Sequence, residues 1–472
     1  METSDSKRNN VKSKRPTVLL QTFGCQMNKL DSAIIEASLR DEGYQFVEDT
    51  KEADVVLLNT CSVRDHAEQR VLSHIGFLKH IKESKPNMVV GVIGCMAQRL
   101  GAELLEHDAV DFVCGPAQIP QINQLVRKAL EKRVRTLAVT EKIRQKSCED
   151  ESQILETFES VYGVEDEEIP GQAFVRVMRG CDKFCSYCVV PYVRGPEVCR
   201  PPKIIIEQIK KLAGNGVKQV TLLGQRVNAY KYAAGEKTCC LADLLSIAND
   251  INGIEWIRFV TSYPSEEFFD EILQAMANLP KVCSYLHLPA QSGSDRILHA
   301  MNRGYTCNEY LGLLDKARAV VPDVAIAGDF IVGFPNETEE DFQATVDLVK
   351  KARYKNCFIF KYSPRPGTNA DKKLEDNIPA EIKKKRNMEL LNVQNEISEE
   401  LSRQFLSKTV KVLVEGPSKK PHLNDENKPQ LVGRTATDYI VVFNGPQSLA
   451  GQFAEVKITK TSALTLFGEL GG

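Results

Sequence analysis

Short apolar runs alternating with helical stretches constrain this chain more than any other feature. TVLLQTF (17–23), ADVVLLN (53–59), MVVGVI (88–93) and residues 110–113 are separated by segments such as DSAIIEASLRDEGY and AEQRVLSHIGFLKHIKES. Apolar runs of about five residues, bounded by Gly and separated by helices, belong to a parallel sheet whose crossover helices cover both faces. The pattern predicts an open parallel α/β domain over 16–135. The rhythm returns at FVRVMRG, KQVTLLG, EWIRFVTS, CSYLHL, VAIAGDFIVGF and CFIFKYS. Six such units over 171–400 predict a partial (β/α)6 barrel of the TIM type, whose working face is the C-terminal ends of its strands. Pro379 opens a helix to about Phe405, with Leu390, Leu391, Ile397 and Leu401 as its stripe. Beyond residue 401 only short alternating strands between Gly-containing turns remain, which predicts a small all-β barrel over 401–470. Residues 136–170 read as an acidic linker, because 147–170 hold nine acidic residues and no Lys or Arg. Residues 1–15 read as a disordered basic tail without the apolar core of a secretory signal.

With 472 residues the chain has room for these three domains. A net charge of −2 excludes a polybasic protein, although a local basic patch can hide in the average. Lys383–Arg386, in the long helix, reads as a solvated face or a contact for RNA, and the terminal barrel is mildly basic. No apolar run approaches a membrane span, so the expectation is a cytoplasmic protein with no membrane partner. Fourteen cysteines are too few for a disulfide scaffold. In a reducing compartment, clustered thiolates bind metal or react.

Cys181, Cys185 and Cys188, in GCDKFCSYC, directly follow the first barrel strand and so occupy the working face. Three thiolates so close can ligate three irons of a 4Fe–4S cluster and leave the fourth open to a small molecule. A structural zinc would want four ligands, and the next cysteine, Cys199, is eleven residues on. Cys25, Cys61 and Cys95 each fall just after a predicted strand, in TFGC, NTC and IGC. A single cysteine there would be ordinary core. Three in register at the carboxyl ends of parallel strands point to a second cluster on one sheet edge.

QTFGCQMN, LNTCSVRDHAEQ, GCMAQR, GCDKFCSYCVVPYVRG, LHLPAQSGS, MNRGYT, DFIVGFPNETEEDF and YSPRPGT together resemble the radical S-adenosylmethionine (SAM) methylthiotransferases of the MiaB type, over roughly residues 15–470. That resemblance implies two 4Fe–4S clusters, on Cys25, Cys61 and Cys95 and on Cys181, Cys185 and Cys188. It places Tyr187 against the adenine of SAM and makes the terminal barrel a TRAM domain. It implies conversion of N6-isopentenyladenosine to its 2-methylthio derivative at position 37 of tRNA, beside the anticodon. SAM cleavage at the barrel cluster would release a 5′-deoxyadenosyl radical, the second cluster would supply sulfur, and another SAM the methyl group. The target carbon has no acidic proton or leaving group, so the cofactors carry the hard step. No protein acid–base residue is nominated as catalytic. The implied partners are the anticodon loop of tRNA and a reductant protein, with the enzyme a monomer. Arg226, Tyr263 and Asn336 stand where the family usually has Asn, His and Gly. The QMN and CSVR signatures separate this type from relatives acting on threonylcarbamoyladenosine or on a ribosomal-protein aspartate. Other readings are a methylthiotransferase for one of those substrates, a non-catalytic iron–sulfur sensor that binds RNA, and a zinc-binding RNA module. Arg194, Glu197, Cys199, His287 and Asp329 are secondary candidates for the pocket, and Arg434 and Lys457 for RNA contact.

Overall fold

In a computed structural model of the chain, residues 15–62, 65–141, 158–159, 169–235, 237–265, 267, 269–418 and 429–471 are described. The expected basic tail lies outside the described residues but for Arg15, as does most of the expected acidic linker. The described residues form two units, one reaching Glu141 and including 158–159, the other running from Ile169.

The first unit is a six-stranded parallel sheet in the order β2-β1-β3-β4-β5-β6. Its strands are β1 (Thr17–Phe23), β2 (Gln45–Phe46), β3 (Val55–Thr60), β4 (Val89–Gly94), β5 (Phe112–Cys114) and β6 (Thr136–Ala138). Its helices are α1 (Gln26–Asp41), α2 (Asp65–Ser84), α3 (Cys95–Leu100), α4 (Ala102–Leu105) and α5 (Ile122–Lys132). Every residue of β3 and β4 is buried, and alternation sends them into two cores. Val56, Leu58, Val90 and Val92 pack with Val71, Ile75 and Leu78 of α2. Val55, Leu57, Val89 and Ile93 pack with Ile35 and Leu39 of α1 and Val126 of α5. Burial on both faces is what gave these strands their apolar runs. At Gly91 a Cβ would lie 2.2 Å from Cζ of Phe112. Gly91→Ala is therefore expected to cost about 1–3 kcal/mol, read as a lower denaturant midpoint for this unit.

The chain steps from β1 to β2 on one side, then returns past β1 to β3. That reversal opens a crevice at the carboxyl ends of β1 and β3, where open α/β sheets bind ligands.

The second unit carries β7 (Gln172–Arg176), β8 (Met178–Arg179), β9 (Val198–Cys199), β10 (Gln219–Leu223), β11 (Lys231–Ala234), β12 (Lys237–Cys240), β13 (Trp256–Val260), β14 (Tyr285–His287), β15 (Ala325–Val332) and β16 (Asn356–Lys361). Six of them form two parallel half-sheets, β13-β10-β7 and β14-β15-β16. The halves are stitched at the Ile257–Val282 bridge, where Cys283 N–H donates to Ile257 O at 2.9 Å. These are the six strands expected of the partial barrel. β17 (Thr409–Pro417), β18 (Gln430–Arg434), β19 (Ile440–Asn444), β20 (Phe453–Thr461) and β21 (Thr465–Leu470) then close a separate five-stranded barrel.

The small barrel packs across the N-terminal ends of the large one's strands. Tyr285, Ala325 and Ala327 join Val412, Val441 and Phe443 in one apolar cluster, and the rings of Trp256 and Phe453 meet edge-on at 4.8 Å. Asp438 is the polar centre of this junction. It accepts from Lys355 Nζ and Arg434 Nη1, each at 3.1 Å, with Arg258 Nη1 at 4.0 Å. Burial would raise the Asp438 carboxyl, but these three cations outweigh it and hold it below the ordinary range. Arg258 also donates to the carbonyls of Thr435 and Ala436. Arg434, read from sequence as an RNA contact, is thus engaged with Asp438 and with Glu415 at 2.8 Å.

The basic run of the long helix Ala380–Arg403 is likewise not one surface. Helical spacing turns Lys383 and Arg386 inward. Lys383 Nζ sits 2.5 and 2.7 Å from the Asp376 carboxylate, and Arg386 Nη1 2.8 Å from Glu337. Lys384 and Lys385 alone of the four are exposed.

Candidate functional site

Each cysteine trio is built within one unit. In the first, Phe23 pairs with Thr60 and Thr60 with Gly94 across adjacent strands β1, β3 and β4. Cys61 and Cys95 follow the paired residues directly, and Cys25 comes two residues after Phe23. The three thus share one sheet edge, at the crevice that the strand order creates. A Cβ on Gly24 would lie 2.9 Å from Cβ of Cys61. Gly94 has φ +95°, and a Cβ there would meet Thr60 O at 2.6 Å. Neither position has room for a side chain.

Two buried amides fix this edge. Asn28 Nδ2 donates to Asn59 Oδ1 and to Thr60 O, both at 3.0 Å. Asn59 Nδ2 donates to Asn28 O and Ser32 Oγ, both at 2.9 Å. Both residues are 0% exposed, so all four N–H groups need these partners. Asn28 Oδ1 lies 3.4 Å from Cys25 Sγ, so the same residue braces a cysteine.

In the second unit, Gly180 follows β8 with φ +73°, and a Cβ there would fall 1.9 Å from Pro196 O. Cys181 N–H then donates to Gly195 O at 3.0 Å, and Cys188 N–H to Cys185 O at 2.9 Å. This tight loop leaves the barrel at its strands' carboxyl ends, as expected. Cys181 and Cys185 are buried and Cys188 is partly exposed. Burial pushes the Cys181 thiol up to about 11 and the Cys188 thiol to about 12. Both therefore hold their protons at neutral pH, and a metal taking them must displace those protons. Tyr187 packs into an apolar cluster with Ile297, Met301, Phe334 and Tyr362.

A second turn grips this loop. After the helix Asp295–Ala300, Asn302 adopts the left-handed conformation with φ 56°. Its N–H bonds to His299 O and that of Arg303 to Leu298 O, each at 2.9 Å, a Schellman helix stop. From there Asn302 Nδ2 reaches Phe184 O at 2.7 Å and Arg303 Nη1 reaches Cys185 Sγ at 3.4 Å. Ser186 completes the clasp, donating through N–H to Met301 O at 2.9 Å and through Oγ to Ala300 O at 2.8 Å. Residues 184, 185 and 186 are each held by residues 300–303. Sequence reasoning used MNRGYT as a motif without giving Asn302 or Arg303 a role. The local signal was present, since an Asn just past the end of a helical run marks a left-handed stop.

The secondary candidates separate. Glu197 Oε1 accepts from Asp182 N–H at 3.2 Å and Arg226 Nη1 at 2.8 Å, so it braces the loop. Arg194 closes the short helix Val190–Val193. Cys199 lies in β9, its Sγ accepting from Lys231 N–H at 3.5 Å. His287 Nε2 and Asp329 Oδ1 are 3.1 Å apart on adjacent strands β14 and β15. Among the described residues, no three His, Cys, Asp or Glu side chains close on a single-ion site.

Residues 17–115 match the uncharacterized protein family UPF0004, residues 175–349 the radical SAM superfamily, and residues 403–470 the TRAM domain. The tRNA-2-methylthio-N(6)-dimethylallyladenosine synthase of Rhodopirellula baltica is 43% identical over 457 residues, covering 96% of this chain and 95% of its own. The chain belongs to the tRNA-2-methylthio-N(6)-dimethylallyladenosine synthase family. The Porphyromonas gingivalis member of that synthase family is 38% identical over 470 residues, covering 99% of this chain and 97% of its own. A solved radical S-adenosylmethionine methyltransferase, TsrM from Kitasatospora setae, shares the fold with a TM-score of 0.51 at 16% identity, over 76% of this chain and 77% of its own. No helix among the described residues is long and apolar enough to cross a membrane.

Proposed function

We propose that the protein is the radical SAM methylthiotransferase that converts N6-isopentenyladenosine to 2-methylthio-N6-isopentenyladenosine at position 37 of tRNA. The observation that carries this reading is the pair of cysteine trios, one following three adjacent parallel strands and the other on the loop after β8. Cys25, Cys61 and Cys95 would hold one 4Fe–4S cluster, and Cys181, Cys185 and Cys188 the other. The donor sets suit iron–sulfur clusters, being soft thiolates in threes, each leaving one iron without a protein ligand. The backbone suits them too, because the glycines at 24, 94 and 180 stand where no side chain fits. When bound, such clusters supply an electron to the sulfonium of SAM and the sulfur for transfer. The chain's own residues would hold these parts in place, and Tyr187 would lie along the adenine of SAM.

The substrate base must leave its stack to meet the site, and single-stranded loops permit that at modest cost. Lys457, exposed on the small barrel, is a candidate backbone contact, as are Lys384 and Lys385. The reading implies a cytoplasmic monomer that draws electrons from a reductant protein.

The test is anaerobic reconstitution with iron and sulfide, then incubation with SAM, a reductant and an anticodon stem-loop bearing N6-isopentenyladenosine. Mass spectrometry is expected to find both 5′-deoxyadenosine and the 2-methylthio nucleoside. Product only on a threonylcarbamoyladenosine stem-loop would move the activity to that substrate. No 5′-deoxyadenosine at all would favour an iron–sulfur sensor.

A further inference from the structure

We propose that Arg303 is a positioning residue that sets the reduction potential of the barrel cluster through its hydrogen bond to Cys185. This rests on the assignment of Cys181, Cys185 and Cys188 as cluster ligands. Each edge of the guanidinium is committed. Nε donates to Tyr305 Oη at 2.8 Å, Nη1 to Cys185 Sγ at 3.4 Å, and Nη2 to Pro289 O at 3.1 Å. Its flat faces are committed as well. The Arg303 Cζ lies 4.3 Å from the ring centre of Tyr263 and 5.1 Å from that of Tyr305. Tyr263 is itself fixed, its Oη accepting from Gly304 N–H at 3.0 Å and its N–H donating to Asn228 Oδ1 at 2.8 Å. Tyr305 Oη donates to Ala290 O at 2.8 Å.

The charge balance around Arg303 is the second observation. Arg226, also over the Tyr263 ring, is neutralised by Glu197 at 2.8 Å. Among the described residues, no hydrogen-bond partner of Arg303 is a carboxylate. Its positive charge is directed at a thiol of the loop and at neutral groups only. An anionic thiolate cluster gains from such a charge, and gains more after accepting an electron. Hydrogen bonds to the ligating sulfur act in the same direction, so both raise the potential. The rigid fork delivers them at one fixed angle, which a lysine does not reproduce.

The full chain with Cys25, Cys61 and Cys95 changed to Ala isolates the barrel cluster. Iron and sulfide are counted after reconstitution, and the cluster is titrated with dithionite and viologen mediators, without SAM, followed by electron paramagnetic resonance. Arg303→Met is expected to lower the ratio of reduced to oxidised cluster at a fixed potential about tenfold, or ~59 mV for one electron. Tyr263→Leu, which frees the guanidinium, is expected to move it the same way by less. An unmoved midpoint with about four irons per chain in Arg303→Met overturns the inference alone. No iron in the parent triple variant overturns the ligand assignment and the inference with it. If Arg303→Met fails to hold a cluster, Arg303→Lys decides: without the fork its midpoint must still fall, and a parental value overturns the inference.

Discussion

Cys61→Ala is expected to remove about four irons per chain and yet leave SAM cleavage to 5′-deoxyadenosine in place. Cys185→Ala is expected to remove as many irons and to slow that cleavage ~10³-fold or more, about 4 kcal/mol of barrier. The contrast follows from how the trios are built. Cys61 depends on strand register in β1, β3 and β4 and on the Asn28–Asn59 pair, all within the first unit. Cys185 depends on the loop after β8 and on residues 300–303, all within the second. Changes at sites that share no partner act independently. Iron and sulfide counts with chromatography of 5′-deoxyadenosine read both outcomes. If Cys61→Ala abolished cleavage, the division of labour between the two trios would be wrong.

Asp438→Ala is expected to destabilise the second unit by about 3–5 kcal/mol, read as a lower denaturant midpoint of that unit. The substitution strips Lys355, Arg258 and Arg434 of their shared carboxylate. Lys355 and Arg258 have side chains only 10% and 6% exposed, so water cannot replace what they lose. Removing everything after Arg403 goes further, exposing Trp256, Tyr285, Ala325 and Ala327. That truncation is expected to yield an aggregating or molten fragment by light scattering and near-ultraviolet dichroism. A soluble fragment with a cooperative transition, or a loss under about 1 kcal/mol in Asp438→Ala, would mean that the small barrel is merely attached.

Periodicity made the βα rhythm legible because strands buried on both faces carry unbroken apolar runs, as Val55–Leu58 of β3 and Val89–Ile93 of β4 do. The short edge strands β2 and β6 escaped notice, since two or three half-exposed residues carry no period. Both cysteine trios were legible from their placement after strands. Their supports were not, for Asn28 and Asn59 lie 31 residues apart and meet only because helix α1 packs beside β3. Arg303 and Cys185 are 118 apart. Charge patterning misread Lys383 and Arg386, because a cation's partner on the inner face of a helix leaves no trace in local composition.

The Asn28–Asn59 amide pair has a consequence for the life of the protein. Its four donors are satisfied by protein oxygens, so polypeptide contacts brace the crevice. A zinc finger collapses when its metal is withdrawn. If Cys25, Cys61 and Cys95 hold a cluster, this edge would serve as a standing mould, and a chain stripped by oxygen is expected to be salvaged by recharging with iron and sulfide instead of resynthesis.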